Sequence, residues 1–120
     1  VDTHVHVFDS RYPMSPARGY NPPPSTLADL GHLHATLGID RVVFTQPSVY
    51  GIDNSAILDG MKALNSETPN RARAVVALDM SFTENDLAGM DVREHDVRDE
   101  QRERHDAAAP PRRQLSYSLK

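Results

Sequence analysis

Three short runs rich in β-branched residues, set far apart in the chain, restrict its fold more than any other feature. They are Thr3-His-Val-His-Val7, Arg41-Val-Val-Phe-Thr-Gln46 and Arg73-Ala-Val-Val-Ala-Leu78. Val5, Val43 and Val76 at their centres lie 38 and 33 positions apart, too far for hairpin connections and right for crossovers that carry a helix. Helical patterns fill the gaps. Ser25 or Thr26 caps a first helix with Asp29 in its opening turn. Leu27, Leu30, His34 and Leu37 keep helical spacing there, Leu33 widens the stripe, and Gly38 ends it. Asn54 or Ser55 caps a second helix carrying Ile57, Leu58, Met61 and Leu64. Thr83 and Asp86 have the spacing of a capping box for a third helix through Leu87. The expected order is β-loop-α-β-loop-α-β-α with parallel strands, an α/β fold.

Composition narrows the function classes. With 120 residues the chain holds one domain at most. A net charge of -4 gives no reason to expect a nucleic acid or an anionic membrane as partner. The absence of cysteine removes disulfides, thiolate metal sites and cysteine nucleophiles. No apolar run reaches the roughly 20 residues of a membrane span, and no signal peptide opens the chain, so the expected location is cytoplasmic. Nothing in the sequence speaks to oligomeric state.

His4 and His6 are the sharpest chemical signal. On a strand, side chains alternate, so His4, His6 and Phe8 share one face and Val5 and Val7 the other. Histidines two apart on a strand have Cα atoms about 6.5 to 7 Å apart, and both imidazoles can converge on one ion or substrate atom. The bland alternative is a pair of histidines on a half-exposed strand. The context favours chemistry, because the pair precedes a long loop, 9–24, that carries Pro13, Pro16, Pro22, Pro23 and Pro24. His32 and His34 repeat the spacing on a helix, where residues two apart point to different sides, and are not expected to form a site.

Asp2-Thr-His-Val-His-Val-Phe-Asp9, Tyr12-Pro13 and Arg18-Gly-Tyr20 resemble the opening of the amidohydrolase superfamily. The resemblance is closer to its amidohydrolase-related branch of lactone hydrolases, which includes 2-pyrone-4,6-dicarboxylate lactonase. The segments Gly38 to Asn54 and Ala72 to Asp79 are similar to that branch's second and third strands. The resemblance implies the first three βα units, over residues 1–90, of an incomplete (β/α)8 TIM-type barrel, because three strands are too few to close one. It implies hydrolysis of a lactone bond in a small carboxylated ring compound. It implies that His4 and His6 are catalytic and ligate one divalent metal, zinc or manganese, together with a third histidine and an aspartate from later strands. In the pyrone lactonase, which does not require a metal, the same pair would polarise the carbonyl. Tyr20 and Ser48 correspond to substrate contacts, each able to hydrogen-bond a carboxylate. At Tyr50 the lactonase has a histidine, a departure that bears on specificity. Asp53 and Asn54 read as a helix cap.

The last 30 residues are of another kind. From Asp91 to Arg113, thirteen of twenty-three residues are Asp, Glu, Lys or Arg, and Val92 and Val97 are the only large apolar side chains. The arginine-rich fourth strand expected of the branch is missing there. Residues 91–120 are therefore expected to be an irregular or helical charged tail, or the product of a shifted reading frame. A helical tail would draw on pairs such as Glu94–Arg98 and Glu100–Arg104. The chain then reads as a truncated hydrolase with little activity of its own. A non-catalytic remnant or small binding domain, and a metal-dependent decarboxylase lineage of the same superfamily, are the alternatives.

Overall fold

A computed structural model of the chain describes residues 1–89, 92–94 and 113–119. Strands β1 (Asp2–Val5), β2 (Val42–Thr45) and β3 (Ala72–Leu78) lie side by side in chain order and are parallel. Helix α1 (Leu27–Leu37) connects β1 to β2, and α2 (Ser55–Glu67) connects β2 to β3. One apolar cluster joins both helices to one side of the sheet. Leu30, Ile57, Met61 and Leu64 meet Val5, Val7, Val42, Phe44, Ala72, Ala74, Val76 and Leu78 there. Both crossovers thus return over the same face, the winding of a barrel rather than of a doubly wound sheet.

The local signals act as their chemistry dictates. Thr26 caps α1 in a reciprocal box with Asp29, and Gly38 ends the helix in the left-handed region at φ 67°. Thr83 and Asp86 form the same box ahead of α3 (Glu84–Gly89). At α2 the Asn54 side chain does not cap the helix. Its amide donates to Ala77 O and accepts from Ala77 N, each at 2.9 Å, which extends the sheet where β2 has ended. Near the other end of the helix, Asn65 bonds Ala72 N and O in the same way. Two asparagines thereby pin α2 along β3.

Four observations differ from the sequence expectations or go beyond them. First, β1 stops at Val5 instead of running to Phe8, and Phe8 forms an isolated antiparallel bridge with Ser25. Second, the β1–β2 register slips: Asp2 faces Val42 while Val5 faces Phe44. Thr3 and His4 together oppose Val43, a bulge that turns Asp2 toward α1. Third, Leu33 and Leu37 are exposed, at 51% and 60%, while the buried stripe of α1 is Leu30 and His34. Fourth, stretches of the segment expected to be irregular or helical are strands. Strand β4 (Val92–Glu94) pairs antiparallel with β5 (Arg113–Leu119), and β5 pairs antiparallel with β3. β5 occupies the backbone edge of β3, and the charge pattern of the sequence carries no signal of that. The expected pairs Glu94–Arg98 and Glu100–Arg104 extend outside the described residues. Among the described residues no helix is long and apolar enough to cross a membrane.

Candidate active site

The second face of the sheet is the one without helices. The residues that point away from the apolar cluster are His4 of β1 and His6 just past its end, then Val43 and Thr45 of β2, then Arg73, Val75 and Ala77 of β3. This face is half-open, and in a closed barrel it would be the interior.

The structure brings His4 and His6 together on it. Their ring centroids are 4.9 Å apart with planes at 88°, an edge-to-face pair, and the Phe8 ring stands 6.0 Å beyond His6. His4 is exposed and His6 half-buried. His6 Nδ1 lies 2.9 Å from Thr45 O at the C-terminal end of β2. A carbonyl only accepts, so Nδ1 carries the hydrogen of this bond and Nε2 is not engaged by it. A ring fixed through one nitrogen is what a catalytic or metal-binding imidazole needs.

Ser48 is exposed three residues beyond Thr45, at the head of a 3-10 turn (Ser48–Tyr50), and so at the same end of the sheet as His6. Tyr20 is 47% exposed in loop 9–24. The loop closes on itself at its base, where Phe8 and Ser25 exchange two backbone hydrogen bonds of 2.8 Å. Three contacts hold it over the 3-10 turn and α2. Ser15 N donates to Val49 O at 2.7 Å. Tyr12 Oη donates to Asp59 Oδ2 at 2.8 Å. Tyr50, buried, accepts from Asp9 N at 2.9 Å and donates to Asp9 O at 3.1 Å.

Electrostatics at the loop entry are settled locally. Asp9 accepts three hydrogen bonds from Arg11, from its backbone N, Nε and one terminal nitrogen, the last at 2.6 Å. The guanidinium and backbone of Arg11 hold the Asp9 carboxyl below the usual carboxylate range. Asp59 beside Tyr12 raises the phenol above its ordinary value. Asp9 is therefore committed to structure and is no candidate base.

The histidine pair was readable from period-two spacing. The carbonyl of Thr45 that aims His6 was not, because a backbone group leaves no mark on residue type. The sequence marked Tyr50 only as a departure from the lactonase histidine; in the structure it is buried and its hydroxyl fastens β1's exit to the β2 loop. A catalytic zinc takes three protein ligands in general, and His4 and His6 are two. Among the described residues no group of three or more His, Cys, Asp or Glu side chains is placed to hold a metal. These residues alone do not make a metal centre.

Comparison with known proteins agrees with this architecture. The amidohydrolase family model matches residues 1–109. The chain belongs to the amidohydrolase family. It is 44% identical over 63 residues to a 4-sulfomuconolactone hydrolase of Rhizobium radiobacter, covering 51% of this chain and 21% of that enzyme. A 2-pyrone-4,6-dicarboxylate hydrolase of Comamonas testosteroni is 34% identical over 89 residues, 72% of this chain and 28% of its own length. A D-galactarolactone isomerase of Agrobacterium fabrum is 38% identical over 90 residues, 72% of this chain and 29% of its own. An Agrobacterium tumefaciens protein of solved structure superposes with a TM-score of 0.63 at 33% identity, over 74% of this chain and 32% of that one. The chain thus spans between 21% and 29% of the length of these curated relatives. Within this amidohydrolase, β1 to β3 with their helices are consecutive barrel units.

Proposed function

We propose that this amidohydrolase chain carries part of the active site of an enzyme that opens the ring of a small anionic lactone by hydrolysis. The observation that carries the reading is the His4–His6 pair on the open face of the parallel strands, with His6 fixed through Nδ1 to Thr45 O at the C-terminal end of β2. In (β/α)8 enzymes that end of the strands bears the chemistry. The named relatives support the substrate class, since each acts on a lactone by its name.

Lactone hydrolysis needs a polarised carbonyl and a water that loses a proton as it attacks. His6 Nε2 accepts that proton when the ring is neutral, and His4 beside it donates a hydrogen bond to the carbonyl oxygen that becomes the oxyanion. Collapse of the tetrahedral adduct breaks the ring C–O bond, and the proton taken up by His6 passes to the departing oxygen, which leaves a hydroxyl and a carboxylic acid that ionises in water. Ser48, exposed at the same end, and Tyr20, exposed in the loop, hydrogen-bond the substrate's charged substituent. If the whole enzyme uses a divalent ion, zinc or manganese, His4 and His6 supply two of its ligands and the rest come from outside the described residues.

The isomerase relative favours one specific variant of this reading, attack on the same carbonyl by a hydroxyl of the substrate in place of water. Product analysis separates the two. The test is a chimera in which residues 1–89 replace the matching segment of the sulfomuconolactone hydrolase. The expected result is ring opening of 4-sulfomuconolactone that falls by about 100-fold or more in His6→Asn. A folded chimera whose turnover is indifferent to His6→Asn would overturn the proposal.

A further inference from the structure

An arginine stands in the strand face that holds the histidines. In β3 the residues alternate strictly, with Ala72, Ala74, Val76 and Leu78 buried against the helices while Arg73 is exposed on the other side. Arg73 is the register partner of Val43. The bulge in β1 sets His4 against the same Val43. His4, Val43 and Arg73 therefore form one row across three strands. Neighbouring strands are about 4.8 Å apart, so the His4 and Arg73 backbones are separated by roughly 10 Å, with the half-buried Val43 between them. A guanidinium and an imidazole at that separation both reach a small group resting on Val43.

Charge decides what that group is. No carboxylate of β1, β2 or β3 shares this face. Asp2 is turned to the helix side by the bulge, where it meets His34. Asp79, just past β3, has its carboxylate bonded to Ser81, and it lies six residues, or about 20 Å, further along the strand than Arg73. Arg71, two residues before Arg73, makes the contrast: it is matched by Glu67 at 3.2 Å. On its own face Arg73 has no such match from β1, β2 or β3, and an anionic ligand is the complementary charge.

We propose that Arg73 is a substrate-binding residue, whose guanidinium receives a carboxylate of the ligand in the row shared with His4 and Val43. The planar fork of arginine suits a carboxylate through two parallel N–H···O bonds. The assignment of the ligand as a lactone rests on the function proposed above, but the anion site itself does not. Because Arg73 lies one row nearer the start of the strands than Val75, which is level with Thr45 and His6, the carboxylate would enter first and leave the reacting carbonyl at His6. Arg73 thereby sets which end of an unsymmetrical anionic substrate points inward.

The experiment is calorimetric titration of the 120-residue chain with citrate as a carboxylate probe. Arg73→Gln is expected to weaken binding by at least about tenfold. Arg73→Lys, which keeps the charge and loses the fork, should fall between, and Arg71→Gln should match the parent chain. Absence of citrate binding by the parent chain, or equal affinity in Arg73→Gln, overturns the proposal, as does an equal loss in Arg71→Gln. Should Arg73→Gln unfold, the lysine variant carries the test, and parent-like affinity in it would count against the two-bond geometry. In parallel, δ-valerolactone, an uncharged lactone, is added while the His6 ring resonances are followed. Unmoved His6 signals beside Arg73-dependent citrate binding remove the lactone reading and leave the anion site standing; the reverse pattern does the opposite.

Discussion

Asp2 Oδ2 lies 3.2 Å from Nε2 of His34, and the imidazole, 2% exposed, is the most deeply buried side chain of α1. This contact joins the first residue of β1 to the helix that follows it. It exists because the bulge at Thr3 and His4 turns the Asp2 side chain off the histidine face. The same slip that buries the Asp2–His34 contact sets His4 in a row with Arg73.

Replacement of His34 by alanine should therefore destabilise the chain by about 2 to 4 kcal/mol, through lost packing and an unpartnered Asp2. Urea unfolding followed by circular dichroism measures it. An unchanged midpoint in His34→Ala would show that α1 is held by Leu30 alone. Asp2→Asn keeps an acceptor for the ring and should cost less.

Tyr50→Phe removes one hydroxyl and leaves Asp9 N–H and C=O without their partner in a buried position. The expected cost is about 1 to 3 kcal/mol, concentrated in loop 9–24. Amide exchange should speed up at Ser15, whose N–H bonds Val49, before it does in β3. Uniform acceleration across the sheet would count against a local role for Tyr50.

Gly60 sits inside α2, where a Cβ would meet Phe44 at 3.5 Å and Leu27 at 3.7 Å, ordinary contact distances. Gly60→Ala should raise stability by about 0.5 to 1 kcal/mol, since alanine loses less conformational freedom in a helix interior. Gly38→Ala, at φ 67°, should do the reverse. Thermal melts of the two variants moving in the same direction would contradict this account.

Acid should loosen the helix starts first. Asp29 and Asp86 are held below the usual carboxylate range by the backbone N–H groups and hydroxyls of Thr26 and Thr83. A carboxyl whose folded pKa lies below its unfolded value contributes stability that is complete above about pH 4 and is lost as pH falls through the folded pKa. Asp9, lowered by Arg11, adds to the same trend. Circular dichroism at 222 nm between pH 5 and 2 should show helix loss that is smaller in Asp29→Asn. A helix signal that instead grew toward pH 2 would refute the capping role.

The outer edge of β1, at one end of the sheet, is unpaired within the described residues, and Leu33 and Leu37 of α1 are exposed. An open strand edge with exposed apolar side chains favours association. Sedimentation velocity should show mass rising with concentration, and Leu33→Lys should reduce it. A monomer across the whole concentration range would remove this expectation.

Much of this molecule was legible without coordinates. The α/β order, the caps at Thr26 and Thr83, the stop at Gly38 and the shared face of His4 and His6 follow from short-range rules. Helix ends need specific side chains within three residues, and strand faces alternate by two, so residue type alone records them. What lay beyond was written in register and in backbone groups. The bulge in β1 depends on how β2 lies beside it. The aim of His6 depends on a carbonyl 39 residues away, and the pinning of α2 on asparagine side chains that stand in for a strand. Arginine in an apolar strand looks like any other until the register sets it level with His4. β5 joined the open edge of β3, and β4 joined β5, through backbone hydrogen bonds between segments distant in the chain. Sequence determined which elements form and which faces they show. Tertiary structure decided which side chains share a row, because that depends on hydrogen bonds between segments that are distant in the chain.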